Sequence, residues 1–305
     1  MAYLRTRNVK GVDYYYACES LVHKGKATQK DIYYFGKNKP TKSGLDAVIF
    51  ALDGKDVYEP SETLMSSEQA VRVDSLNKRM KDEFSSMSAT ELQNFDEKFM
   101  NDYIYNTNSM EGSTLTKDET YFVTHENQGV EGRKLKEIYM ARNLMSAVKF
   151  LDGHGGKFDL SLIRKLHAIV QENIQPREEL GEFKKRQNYI TGTDFLPTPP
   201  NFVQKRMGGL MRWYGKNVKV YHPFEIAALF HIKFVSIHPF PDGNGRTARL
   251  LHNFILKKHG YLPIIYRAET KQKYYSALRN AQIYLSHAPF VEYSSSEFVA
   301  AYEGY

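Results

Sequence analysis

The twelve residues 238–249, "HPFPDGNGRTAR", put an imidazole, a carboxylate, an asparagine between two glycines, and two arginines in one short span. A buried core has no use for that mixture, so the stretch points to chemistry on a charged ligand. Gly243 and Gly245 open the backbone to conformations closed to other residues, so successive N–H groups can face one concavity. A helix starting there adds partial positive charge, and such a nest takes phosphate. Arg246 and Arg249, three apart and so on one helical face, can reach over it to neutralise a polyphosphate. Asp242 would repel a bare phosphate, and the repulsion becomes attraction if its carboxylate holds Mg²⁺ bridging phosphate oxygens. His238, at the mouth, has an intrinsic pKa near ~6.5 that suits a general base at neutral pH. Phe240 is expected to face inward and anchor the loop. Taken singly, a His at a helix end is a cap, Gly-Asn-Gly is a turn and an arginine pair is a solvated face. Their conjunction describes a nucleotide-phosphate site with a base for an incoming hydroxyl, hence phosphoryl or nucleotidyl transfer.

The elements around the loop can be read from periodicity. Before it, "HPFEIAALFHIKFVSIH" starts with Pro223 in a first turn and sets Ile226, Leu229, Phe230, Phe234 and Ile237 on one stripe of a helix that His238 ends. After it, "ARLLHNFILKKHGY" is helical with Gly260 as its C-cap. Ser88 with Glu91, and Thr116 with Glu119, are capping boxes opening two further helices. Amphipathic stretches cover roughly 132–152, 159–174, 200–214, 223–238, 246–259 and 270–284, so the body is mainly α. "KKRQNYITGTDFLPTPP", 184–200, has Tyr189 and Ile190 before a Thr191, Gly192, Thr193 turn and reads as a short hairpin ending in a proline stop. His231 and His252 lie inside helices and are expected as core or surface residues; no HExxH-type metal spacing appears.

Composition sets the outer limits. The 305 residues, 42% hydrophobic and 25% charged, suit one large globular domain with small attachments. No apolar run is long enough for a bilayer and "MAYLRTRNVKG" lacks an apolar signal core, so a soluble, cytoplasmic protein with no membrane partner is expected. The one cysteine, Cys18, excludes a disulfide framework and any multi-cysteine zinc site, and is expected as a small buried residue. The net charge of +7 is uneven: residues 1–43 hold nine Lys/Arg against Asp13, Glu19 and Asp31, leaving the remainder close to neutral. This Tyr- and Val-rich segment, with a turn at Gly25, reads as a separate antiparallel unit of two or three strands. Either the tyrosines pack a tiny sheet whose edges the lysines protect, the reading placed first, or basic residues among aromatics mark a nucleic-acid partner. The segment resembles the short N-terminal β module of some transposase-like archaeal and bacterial proteins. The resulting division is a basic β module (1–43), a linker (44–66), a helical segment (67–115), a catalytic core (116–290) and a tail (291–305).

The loop resembles the Fic family signature, H-x-F-x-[DE]-G-N-G-R-x-x-R, at every fixed position: His238, Phe240, Asp242, Gly243, Asn244, Gly245, Arg246 and Arg249. The resemblance extends over roughly residues 100–290, with "GEFKKRQNYITG" similar to the family's flap hairpin, "PPNFVQKRMGGLMRW" to the helix after it and "KYYSALRNA" to the C-terminal helix. It implies an all-α core that moves AMP from ATP, with Mg²⁺, onto a Ser, Thr or Tyr hydroxyl of a target protein. His238 would be the base and Asp242 the metal holder; Asn244 with the loop amides would cradle the α- and β-phosphates and Arg246 the outer ones. Tyr275 resembles the aromatic bordering the adenine, and Gln282 departs from an Asn common in part of the family. "TNSMEGSTLT", 107–116, resembles the family's inhibitory motif [ST]-x-x-x-E-[GN] through Thr107, Glu111 and Gly112. The resemblance implies that Glu111 pairs with Arg249 and takes the place of the γ-phosphate, as in the subclass with an N-terminal inhibitory helix. Removal of AMP, another phosphate donor, or a nucleic-acid-binding regulator with a vestigial core are the alternatives. Gly245 argues against kinase-like relatives, which carry lysine there, and a homo-oligomer is left open.

Overall fold

The structure, a computed structural model, describes residues 2–9, 11–23, 26–36, 39–40, 63–190, 193 and 195–303. The N-terminal unit is a three-stranded antiparallel meander: β1 (Ala2–Val9), β2 (Val12–His23) and β3 (Lys26–Gly36), in that order. Val9 pairs with Val12 across the first turn, where Gly11 has φ 81° and Asn8 ties the turn to Asp13 (2.7 Å) and to the Gly11 N–H (3.0 Å). Ala17 and Cys18 are buried, and the Arg7 guanidinium lies 5.0 Å over the Tyr16 ring, a packing use of a basic residue on an aromatic. The turn expected at Gly25 and most of the linker expected over 44–66 lie outside the described residues.

Ten α-helices follow among the described residues: α1 (Ser67–Ser86), α2 (Ala89–Met110), α3 (Lys117–Thr124), α4 (Leu135–Asp152), α5 (Leu160–Gln171), α6 (Pro200–Asn217), α7 (Pro223–Ile237), α8 (Asn244–Lys258), α9 (Lys271–Ile283) and α10 (Ala288–Tyr302). Both expected capping boxes form, and a third opens α1, where Ser66 caps Gln69 and Gln69 returns the bond. The core is built around α7. Its apolar stripe is only part of the story, because nearly the whole circumference is buried, Glu225, His231 and Lys233 included. Such a helix needs neighbours on every side, and α6, α8, α9 and α10 supply them.

Three expectations change. The tail expected at 291–305 is largely helix α10, with Phe290, Phe298 and Tyr302 in the core and Glu297 gripping Arg267 (3.0 Å); the run Ser294–Ser296 interrupts its apolar period. The hairpin expected over 184–200 has no paired strands among the described residues. Its polar groups bond the loop after α7 instead of a second strand, and Thr191 and Gly192 lie outside the described residues. Only Gly243 of the loop's two glycines has positive φ (75°); Gly245 sits within the first turn of α8. No helix of the described residues is long and apolar enough to cross a membrane.

Burial also shapes the response to acid. It pushes His167, His238 and His287 down to about 4 and His252 to about 3. Between those values and the ordinary ~6.5 of an unfolded His, the unfolded chain binds more protons, so stability falls as pH drops through that window. Asp96 and Glu225, raised by burial, oppose the trend but are fewer. The thermal midpoint should be lower at pH 5 than at pH 7; an unchanged or higher midpoint at pH 5 would contradict this account.

Candidate active site

The loop Pro239–Gly243 joins two core helices and is shaped by its own side chains. His238 ends α7 in the left-handed region (φ 51°, ψ 60°), with its N–H on the Phe234 carbonyl at 3.0 Å. For a residue with a Cβ this costs about 1–3 kcal/mol, so the surroundings must enforce it. Phe240 is fully buried and stacks on the His167 ring, centroids 3.7 Å apart and planes within 8°. Asn244 spends both ends of its amide on that residue: Oδ1 accepts the Phe240 N–H and Nδ2 donates to the Phe240 carbonyl, each at 2.9 Å. Its side chain therefore closes the loop, while the backbone amides of the first turn of α8 carry no side-chain cap. Uncapped N–H groups at a helix start form an anion site.

The His238 ring is well defined. His238 Nδ1 lies 3.3 Å from the Val235 carbonyl, an arrangement that places the proton on Nδ1 and leaves Nε2 as the acceptor. Burial first, and then the Lys184 ammonium, push its pKa down to about 4, which keeps the ring neutral at physiological pH. Lys184 is itself buried, and burial pushes its ammonium down to about 7.

Two arginines and a glutamate fill the space above the nest. Arg246 is 2% exposed, its Nε and Nη1 have no hydrogen-bond partner among the described residues, and burial lowers its pKa. Its Nη2 stands 4.0 Å from Asp242 Oδ2. Arg249, 1% exposed, donates through Nη2 to Glu111 Oε1 (2.6 Å) and to the Thr107 carbonyl (3.0 Å), and its guanidinium lies 5.9 Å from the Tyr274 ring centre. Burial alone would lower its pKa; Glu111 outweighs that and holds it above the usual arginine value. Glu111, the C-cap of α2, reaches the start of α8 only because Gly245 has no Cβ, which would collide with the Glu111 carboxylate. One carboxylate thus stands where an anion would meet α8 and Arg249. Tyr275 donates to the Met110 carbonyl (3.1 Å), next to Glu111, and Gln282 lies further along α9, half-buried. Exposed Tyr189 and half-buried Ile190 continue the segment that borders the loop.

Asp242 is half-exposed. Its Oδ1 accepts the Gly243 N–H at 2.7 Å, and Lys136 stands 4.0 Å from Oδ2. Among the described residues no cluster of three or more His, Cys, Asp or Glu is arranged to hold a metal. A lone accessible carboxylate still fits Mg²⁺, which keeps waters and takes substrate phosphates as its other ligands.

Several supporting residues carried no sequence signal. His167 accepts the Gly181 N–H on Nδ1 (3.1 Å), so its Nε2 proton goes to the Asp242 carbonyl (3.0 Å). Gln171, one turn on, presents its amide oxygen to the Gly243 N–H (2.8 Å) and Arg246 Nη2 (3.0 Å). The i, i+4 spacing of His167 and Gln171 on α5 was the only available hint. A Cβ at Gly243 would drive into that Gln171 amide, in a conformation L residues avoid. Gly243→Ala should therefore lose about 1–3 kcal/mol of stability, read by denaturant unfolding, and weaken nucleotide binding; a variant as stable as wild type would refute the strain argument.

Comparison with known proteins agrees with this geometry. Residues 157–256 match the Fic/DOC family. Protein adenylyltransferase Fic of Nematostella vectensis is 34% identical over 184 residues, 59% of this chain and 42% of that protein. Protein adenylyltransferase fic-1 of Caenorhabditis elegans is 30% identical over 233 residues, 74% of this chain and 45% of that one. The chain thus spans less than half the length of these curated relatives. Among solved structures, a Glu-to-Gly variant of C. elegans Fic-1 superposes with a TM-score of 0.69 at 28% identity, covering 78% of this chain and 71% of that one. A Fic-domain signalling protein from Bacteroides thetaiotaomicron superposes with a TM-score of 0.70 at 26% identity, over 77% and 95% of the two chains. The loop His238–Arg249, the helices that hold it and these likenesses identify residues 157–256 as a Fic/DOC domain.

Proposed function

We propose that this chain is a protein adenylyltransferase that moves AMP from ATP to a Ser, Thr or Tyr hydroxyl of a protein, and that Glu111 restrains it. The observation that carries the reading is the neutral His238 beside an uncapped helix start flanked by two buried arginines. The Nε2 of His238 takes the proton of the incoming hydroxyl; that oxygen bonds to the α-phosphorus as the bond to the β-phosphate oxygen breaks. The first-turn amides of α8, with Arg246 and Arg249, offset charge on the departing pyrophosphate. When bound, Mg²⁺ on Asp242 would supply charge neutralisation at the phosphates. Tyr275 would border the adenine, and the segment with Tyr189, Ile190, Thr191 and Gly192 would receive the target chain. The names of the relatives support the donor and the acceptor class.

ATP labelled on the α-phosphate should leave label on protein, whereas ATP labelled on the γ-phosphate should not. Retention of the γ-label would make the enzyme a kinase-like transferase instead.

A further inference from the structure

We propose that Lys184 and Asn188 are positioning residues, which clamp the Pro239 and Phe240 carbonyls and so hold His238 in its left-handed backbone conformation. The inference rests on the reading of His238 as the base. A residue with a Cβ stays at φ 51° only if the chain on both sides is fixed. Upstream, α7 fixes it through the His238 N–H. Downstream, the Lys184 N–H donates to the Pro239 carbonyl at 2.8 Å, and Asn188 Nδ2 donates to the Phe240 carbonyl at 2.9 Å.

The side chains of the pair also organise each other. Lys184 Nζ donates to Asn188 Oδ1 at 2.5 Å, which turns the NH₂ end of that amide toward Phe240. Asn244 grips the same carbonyl from within the loop, so the two carbonyls after His238 are held by three donors from two directions. Lys184 is only 4% exposed, and a buried ammonium is costly; an apolar side chain of equal length would fill that space more cheaply. Its retained function is orientation. The same segment runs on to Tyr189, 78% exposed, so a chain docking there would pull directly on the carbonyls beside the base.

The test uses the full chain carrying Glu111→Gly, with Asn188→Ala, Lys184→Met or Lys184→Arg added. Asn188→Ala and Lys184→Met should lower kcat for AMP transfer about 10- to 100-fold, the scale of a misplaced catalytic group, and leave the Kd for ATP within about threefold. Lys184→Arg, which keeps a donor for Asn188, should recover most of the loss. Amide hydrogen exchange should quicken at His238, Phe240 and Asp242, the residues of 238–242 that carry an N–H, in the first two variants, with exchange elsewhere and the thermal midpoint unchanged. An unchanged kcat in Asn188→Ala, a parallel loss of ATP binding, or Lys184→Arg no better than Lys184→Met would overturn the clamp. If the Glu111→Gly parent transfers no AMP, the adenylyltransferase reading fails by itself. The clamp is then judged by exchange alone: faster exchange confined to 238–242 supports it, and unchanged exchange refutes it.

Discussion

His238→Ala should lower AMP transfer by about 10²- to 10⁴-fold while the Kd for ATP moves by no more than about threefold. The size follows from the loss of a positioned base, and the split follows from geometry. The His238 ring makes its described hydrogen bond to the Val235 carbonyl, whereas the proposed phosphate recognition falls to α8 and its arginines. The imidazole already sits neutral, with its pKa pushed down to about 4 by burial, so the transfer rate should show no acid limb from this group near pH 6.5. A parallel collapse of ATP binding and transfer would show that the imidazole only holds the loop.

Glu111→Gly should raise AMP transfer about 5- to 150-fold, the range of a 1–3 kcal/mol coupling between a restraint and a site. The carboxylate pairs with a fully buried arginine at 2.6 Å and overlies Gly245, so removing it frees both the cation and the space that a terminal phosphate needs. The same change leaves Arg249 buried without its counter-charge, which costs about 3–5 kcal/mol when one partner of a buried pair is lost. The variant should therefore melt earlier than wild type and gain more in melting temperature from ATP, whose phosphate replaces the missing charge. Glu111→Asp, one methylene shorter, should release the restraint partly. Glu111→Gly with Arg249→Ala should transfer little more than wild type, since the freed partner is gone. Activity that stays flat in Glu111→Gly, assayed with ATP and Mg²⁺, would leave Glu111 as a helix cap and nothing more.

The parts of this site visible in sequence are those whose residues are neighbours in the chain. His238, Gly243 and the two arginines sit within twelve residues, and the spacing of the arginines alone sets them on one face of α8. The capping boxes at Ser88 and Thr116 were legible for the same reason, since each closes within one turn. What escaped was contributed from a distance by ordinary residue types. His167 and Gln171 come from a helix some seventy positions earlier, and the conjugate pair Lys184 and Asn188 from an irregular segment with no period to read. The role of Gly245 was also invisible, because it depends on Glu111 arriving from a different helix. Helix α10 was hidden by three consecutive serines, two of them buried in a way only tertiary packing explains; Ser294 bonds the Tyr266 hydroxyl at 2.8 Å inside the core.

The most direct test of the central claim is the intact mass of the Glu111→Gly protein after incubation with ATP and Mg²⁺ and an added protein acceptor, followed by fragmentation of every species that gains mass. The account predicts a gain of one AMP residue, attached through a Ser, Thr or Tyr oxygen and absent when His238→Ala is added. A gain of phosphate alone, or no gain with ATP demonstrably bound, would contradict it.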